Sequence, residues 1–375
     1  MEQRYWREYN WPLLVCVLAL LTIGIMGVYS ATLNAVTEAG LPLNRIFPTH
    51  VINIGIGLLA MSLMTLLDYR LLSSLARPIY LITVPVLALV LVIGRISEGA
   101  QSWLAFGTRT FQPAEFAKLA LIIALAAYWS RFEERRRADW LVQFGGLALA
   151  ALPLLLVLIQ PDLGSAVVFG MIWLTMAWAA GMRWYHLLMI LALAAPIGIA
   201  GWMFVLDDYQ KDRLLTFYWL LVDPTRVDFN TGYNIIQALS AISSGGMFGE
   251  GLTHGMFSQG NYVPVQHSDF IFAVIGEELG FIGALVLLAF QTMLLWQALS
   301  VAGRAGDSFG RLIAVGVFGM SFSHVLINVG MNLSLLPVTG LPLPLISHGG
   351  SFMITVLAAI GLLQSVAMRW RRLSF

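Results

Sequence analysis

Apolar runs of about twenty residues, separated by short polar breaks, recur along the whole chain. A helix of that length crosses about 30 Å of hydrocarbon, so the pattern predicts an all-α, polytopic membrane protein. Ten spans are expected, at roughly 12–31, 50–67, 79–94, 113–130, 141–159, 164–181, 187–206, 270–302, 309–333 and 344–367. The first run is too long for a signal-peptide core and reads as a retained anchor. The eighth exceeds one crossing and is expected to tilt or extend into water. One large polar segment, residues 207–268, interrupts a chain that otherwise reads as a single transmembrane domain over 1–375; it is expected to carry its own structure.

Composition sharpens this picture. Of 375 residues, 59% are hydrophobic and 11% charged, against about 25% charged in soluble domains. A net charge of +1 gives no reason to expect a nucleic-acid partner. Cys16, the single cysteine, falls inside the first run, which excludes disulfides. Arginines gather in alternate breaks, at Arg4 and Arg7, Arg70 and Arg77, Arg131 to Arg137, and Arg369 to Arg372. By the positive-inside rule both termini are cytoplasmic and the 207–268 segment faces outward. No Rossmann or P-loop glycine fingerprint appears, so an intracellular nucleotide substrate is not expected. Gly245-Gly246 and Gly249-x-Gly251 read as turn or close-approach glycines.

Five polar constellations stand out, mostly at the outer edge. Glu115 and Lys118, three apart in the fourth span, share one helix face; they either neutralise each other or, with Arg109 just outside, bind an anion. Asp162 follows Gln160-Pro161 in a tight turn and is placed to cap the sixth span. Arg213 precedes the apolar and aromatic stretch 214–221, which resembles an interfacial helix; the cation suits a lipid phosphate, or merely snorkels. Asp269 opens the eighth span, with Glu277 about two turns deeper and Glu278 turned nearly opposite. Asp269 is either a base at the membrane's edge or a helix cap. Finally, three prolines and three glycines between Asn332 and Ser351 break any helix at membrane depth, which is tolerated only in a protein-lined or wet site. Freed N–H groups there, with Ser347 and Ser351, suit an anionic or sugar group. His348 has no metal-ligand spacing with the other histidines and reads as polar packing.

At these segments the chain resembles the SEDS family (shape, elongation, division and sporulation), and within it the RodA-like elongation branch. The resemblance rests on Gln112-Pro113-x-Glu115-x-x-Lys118, Gln160-Pro161-Asp162-Leu163-Gly164, Asp269-Phe270-Ile271-Phe272 running to Glu277-Glu278-Leu279-Gly280, and Pro337-Val338-Thr339-Gly340 leading to Ser347-x-Gly349-Gly350-Ser351. Three positions depart: Ser102 stands where arginine is usual, His348 where tyrosine is usual, and Phe352 where a second serine is usual.

The resemblance implies a peptidoglycan glycosyltransferase that polymerises lipid II on the outer face of the bacterial cytoplasmic membrane. Asp269, aligned with an essential loop aspartate, would be the general base. Arg109, Gln112, Glu115, Lys118, Asp162, Arg213, Glu277, Ser347, Gly349 and Ser351 would hold substrate, with a divalent cation such as Mg2+ as the candidate cofactor. Expected partners are lipid II, undecaprenyl-linked glycan and a class B penicillin-binding protein. A lipid II flippase is the rival reading, since broken helices and buried charge also suit alternating access. A non-catalytic scaffold would leave Asp269 without a purpose.

Overall fold

The computed structural model describes residues 8–34, 45–97, 100–106, 109–204, 208–223 and 229–369. Helices dominate, in the order α1 (Trp11–Leu33), α2 (Ile46–Leu66), α3 (Leu71–Ile93), α4 (Pro113–Trp129), α5 (Glu134–Arg137), α6 (Trp140–Ile159), α7 (Leu163–Ala179) and α8 (Trp184–Phe204), then α9 (Asp208–Val222), α10 (Phe229–Ser244), α11 (Met256–Gln259), α12 (Ile271–Arg304), α13 (Ser308–Asn332) and α14 (Gly350–Met368). Helices α1, α2, α3, α6, α12, α13 and α14 are long and apolar enough to cross a membrane. Helices α4, α7 and α8 fall on the remaining expected spans.

Local chemistry sets several starts. Asn10 accepts from the Leu13 N–H ahead of α1, Asp307 from Gly310 N–H ahead of α13, and Pro113 opens α4, where its missing N–H costs nothing. Two boundaries differ from expectation. Helix α3 starts at Leu71 instead of 79 because Pro78 sits inside it, removing one hydrogen bond without ending an apolar helix. Helix α14 starts at Gly350 instead of 344, because Pro342 and Pro344 disfavour helical geometry at 341 and 343 and Leu345 then turns to a left-handed φ of 64°.

Helix α4 is buried on nearly every side, as a helix apolar all round should be. It packs against α3, α6, α7, α13 and α14, so its N-terminus opens near the middle of the bundle. Between α3 and α4 a small antiparallel sheet runs β1 (Arg95–Ser97), β2 (Ala100–Phe106), β3 (Arg109–Phe111), pairing Arg95 with Trp103 and Leu104 with Phe111. The hydropathy pattern gave no sign of it.

The long eighth span carries a break. Gly280 adopts φ 68° and ψ −168°, splitting α12 into a short N-terminal piece and a longer C-terminal one. The backbone groups freed there are met by the glycine segment after α10. Glu250 and Gly251 N–H donate to the Glu277 and Glu278 carbonyls, while Phe281 and Ile282 N–H donate to Gly246 and Met247 carbonyls. A Cβ at Gly249 would lie 2.1 Å from the Glu278 carbonyl oxygen, and one at Gly280 2.3 Å from Gly249 N. These are close-approach glycines, and the constraint explains them.

Candidate functional site

The segment between α13 and α14 is non-helical and its 341–347 stretch is largely buried, so the backbone polar groups there need partners. Side chains from neighbouring helices supply them. The Leu341 carbonyl accepts from Asn328, Pro342 from His324 Nδ1 (3.1 Å) and Pro344 from Gln291 (2.8 Å). Ser347 accepts from Leu343 N–H and donates to the Ser268 carbonyl at 2.6 Å, and His348 N–H donates to the His267 carbonyl. The broken segment is thereby pinned to the residues just ahead of α12.

That pinning positions Asp269. Phe270 is the N-cap of α12 and gives no side-chain cap, so Asp269 does not cap the helix as one expectation held. Capping comes from α13 instead. Asn332 Oδ1 accepts from the first-turn Ala273 N–H, while Asn328 and Asn332 amides both donate to the Asp269 carbonyl, at 2.9 and 3.0 Å. With those groups satisfied from outside, the Asp269 carboxylate turns into a cavity, accepting at Oδ1 from Ser268 Oγ (2.8 Å). Gly340, at φ 70°, faces it: a Cβ there would stand 3.2 Å from Oδ2.

The cavity holds about 490 Å³. Asp269, Asp162 and Gln112 share its wall with the Pro337–Gly340 turn and the Gly349-Gly350 start of α14. Asp162 both caps α7, accepting from Ser165 N–H at 2.9 Å, and accepts from Gln112 Nε2 at 3.1 Å. Gly164 lets α7 approach the broken segment, since a Cβ would lie 2.6 Å from the Thr339 carbonyl oxygen. Ser102, Trp103 and Thr110 from the sheet, Leu214 from α9 and Asn234 from α10 complete the lining. His267 also lines it; burial, then repulsion from His348, lowers its pKa to about 4.

Several expected residues lie elsewhere. Lys118 is fully buried, 2.8 Å from Glu115 Oε1 and 3.2 Å from His324 Nε2, and does not line the cavity. A buried ammonium needs compensation close by, and a carboxylate three residues back on the same face supplies it. The pair therefore braces His324, which holds the Pro342 carbonyl behind the cavity wall. Glu277, expected to shape the cavity, instead accepts from the Phe257 and Ser258 N–H groups and caps α11. Glu278 accepts from Ser30, Ser258 and Gln259. Ser347 is buried in the pinning contacts above, and the Ser351 hydroxyl accepts from Gln112 N–H (3.0 Å), tying α14 to α4. The side chains of Arg109 and Arg213 lie outside the described residues.

Asn328, and the bracing roles of Asn332 and His324, escaped the sequence reading. Their signal was present: polar residues four apart on one face of an otherwise apolar span. No group of three or more His, Cys, Asp or Glu among the described residues is arranged to hold a metal ion.

A cell cycle protein family model, that of FtsW, RodA and SpoVE, matches residues 11–372. The peptidoglycan glycosyltransferase MrdB of Escherichia coli strain K12 is 36% identical over 364 residues, covering 96% of this chain and 94% of its own length. Stage V sporulation protein E of Bacillus subtilis strain 168 is 33% identical, with 95% and 96% covered. Among solved structures, one chain of a peptidoglycan synthase complex that coordinates polymerization and crosslinking superposes with a TM-score of 0.79 at 34% identity, covering 96% of this chain and 97% of that one. The crystal structure of the Thermus thermophilus rod shape determining protein RodA gives a TM-score of 0.69 at 30% identity, with 96% of each chain covered. The chain belongs to the FtsW, RodA and SpoVE family of multi-pass membrane proteins, the SEDS family, whose similar members carry the name peptidoglycan glycosyltransferase.

Proposed function

We propose that this protein polymerises lipid II into glycan strands at the outer face of the cytoplasmic membrane, with both termini cytoplasmic. The observation that carries the reading is a carboxylate, Asp269, held by its backbone and turned into a cavity that Gln112 and Asp162 share. Asp269 takes the proton from the acceptor sugar's 4-hydroxyl as that oxygen attacks the donor's anomeric carbon. The bond to the lipid pyrophosphate breaks, and positive charge must meet the leaving group. Lys118 is walled off, so that task falls to Arg109 and Arg213, sequence neighbours of the cavity-lining Thr110 and Leu214. Mg2+ is typically held by one or two carboxylates together with substrate phosphates, and Asp162 would hold such an ion in place of its bond from Gln112, neutralising pyrophosphate charge.

Helix α9, with Leu214 in the cavity and Leu215, Tyr218 and Val222 exposed, offers the lipid tail a way in from the side. The relative seen in a synthase complex supports a class B penicillin-binding protein as the partner that crosslinks the product.

A flippase would use buried charge along a crossing path, whereas Lys118 is paired with Glu115 at 2.8 Å and neither residue lines the cavity. Labelled lipid II is incubated with the purified protein and its cognate partner in detergent, and products are resolved on a gel. Glycan ladders support polymerisation. Translocation of lipid II in vesicles without polymer in either preparation would favour the transporter.

A further inference from the structure

A second concavity lies far along the same helices, between α3, α4 and α6, with a volume of about 350 Å³. Its floor is set by small residues, Ala76 on α3 and Ala124 and Ala127 on α4, all buried. The lining positions repeat at helical spacing on both helices, 76, 77, 80 and 81 on α3 against 124, 127, 128 and 131 on and just past α4. The groove's surface is almost wholly apolar, and at one end it meets the side chains of two arginines. There Arg77, near the start of α3, and Arg131, just beyond the end of α4, come to the same rim because the helices run antiparallel. Both arginines are exposed, and neither has a carboxylate partner among the described residues. Tyr80 and Tyr128 stand beside them, with the Tyr80 hydroxyl donating to the Leu149 carbonyl at 2.7 Å and fixing the wall.

We propose that this groove is a binding site for an anionic phospholipid, one acyl chain lying on the alanine floor and the phosphate between Arg77 and Arg131. Charge complementarity selects the occupant. An apolar slot alone suits any lipid tail or a partner's helix, but two exposed arginines at one end of it, with no carboxylate partner among the described residues, suit a phosphate. Tyr80 and Tyr128 beside the arginines are of the residue type that membrane interfaces favour.

The test uses the full-length protein in detergent and native mass spectrometry, with palmitoyl-oleoyl phosphatidylglycerol as the probe and the matching phosphatidylethanolamine as comparison. Wild type retains phosphatidylglycerol preferentially. Arg77→Gln with Arg131→Gln lowers that affinity roughly 10-fold or more, whereas Arg183→Gln with Arg304→Gln, removing equal charge elsewhere, leaves it unchanged. Ala127→Leu, which fills the floor but keeps both cations, also lowers retention. Equal retention of the two lipids, or equal loss in both double variants, would overturn the proposal. So would dimer peaks that Ala127→Leu abolishes while phosphatidylglycerol retention stays constant, since a second copy would then be the occupant.

Discussion

Asp269 and Glu277 lie eight residues apart at the head of the same helix, yet their carboxylates have opposite surroundings. Asp269 accepts from the neighbouring Ser268 hydroxyl and lines the cavity, its backbone carbonyl held by Asn328 and Asn332. Glu277 spends its oxygens on two backbone N–H groups that begin α11. Sequence alone makes them look alike, as acids at the edge of a span. The difference is which groups cap the helix: α13 supplies the cap that Asp269 would otherwise provide, and nothing relieves Glu277. An acid's role in a membrane bundle is therefore read from who satisfies its neighbours.

The comparison breaks most sharply on activity. Asp269→Asn keeps the shape of the side chain and removes the base, so polymerisation falls by at least about 100-fold while the melting temperature in detergent holds. Next in size is the brace. Lys118→Met leaves Glu115 as a buried charge without its partner and lowers stability by about 3–5 kcal/mol, read as a loss of thermal midpoint. Combining it with Glu115→Gln recovers most of that stability, and activity per folded molecule returns with it. If the double variant folds but makes no glycan, Lys118 acts on substrate after all.

Glu277→Ala strands two N–H groups and costs about 3 kcal/mol. Faster hydrogen exchange over 256–259 is the expected sign, with turnover per folded molecule near wild type. Gly280→Ala meets both a left-handed backbone and the nearby Gly249 nitrogen, a penalty of about 2 kcal/mol. A separate effect is on pH. Because burial lowers the His267 pKa to about 4, the unfolded chain binds a proton there more readily than the folded one. Stability from this group is present above about pH 6.5 and is lost as pH falls toward 4. His267→Gln should flatten that part of the stability profile.

Much of the architecture could be read from hydropathy. The fourth span, expected at 113–130, is Pro113–Trp129, and the ninth, expected at 309–333, is Ser308–Asn332. Where proline meets apolar sequence, length alone misled: Pro78 lies inside a helix, whereas Pro342 and Pro344 forbid one. The break at Gly280 was invisible because its cause is a contact with residues 246–251, about thirty positions earlier. The five polar segments named the neighbourhood of the site, and Gln112, Asp162, Asp269 and Gly349 do meet in one cavity. Motif spacing does not report direction, so it was unable to tell a residue facing the cavity from Lys118, Glu277 or Ser347, which hold its frame.

Glycan synthesis by Asp269→Asn and Glu277→Gln, assayed side by side with labelled lipid II at equal folded concentration, tests the assignment most directly. No strands are expected from the first and wild-type strands from the second. Polymer made by Asp269→Asn at the wild-type rate would contradict it.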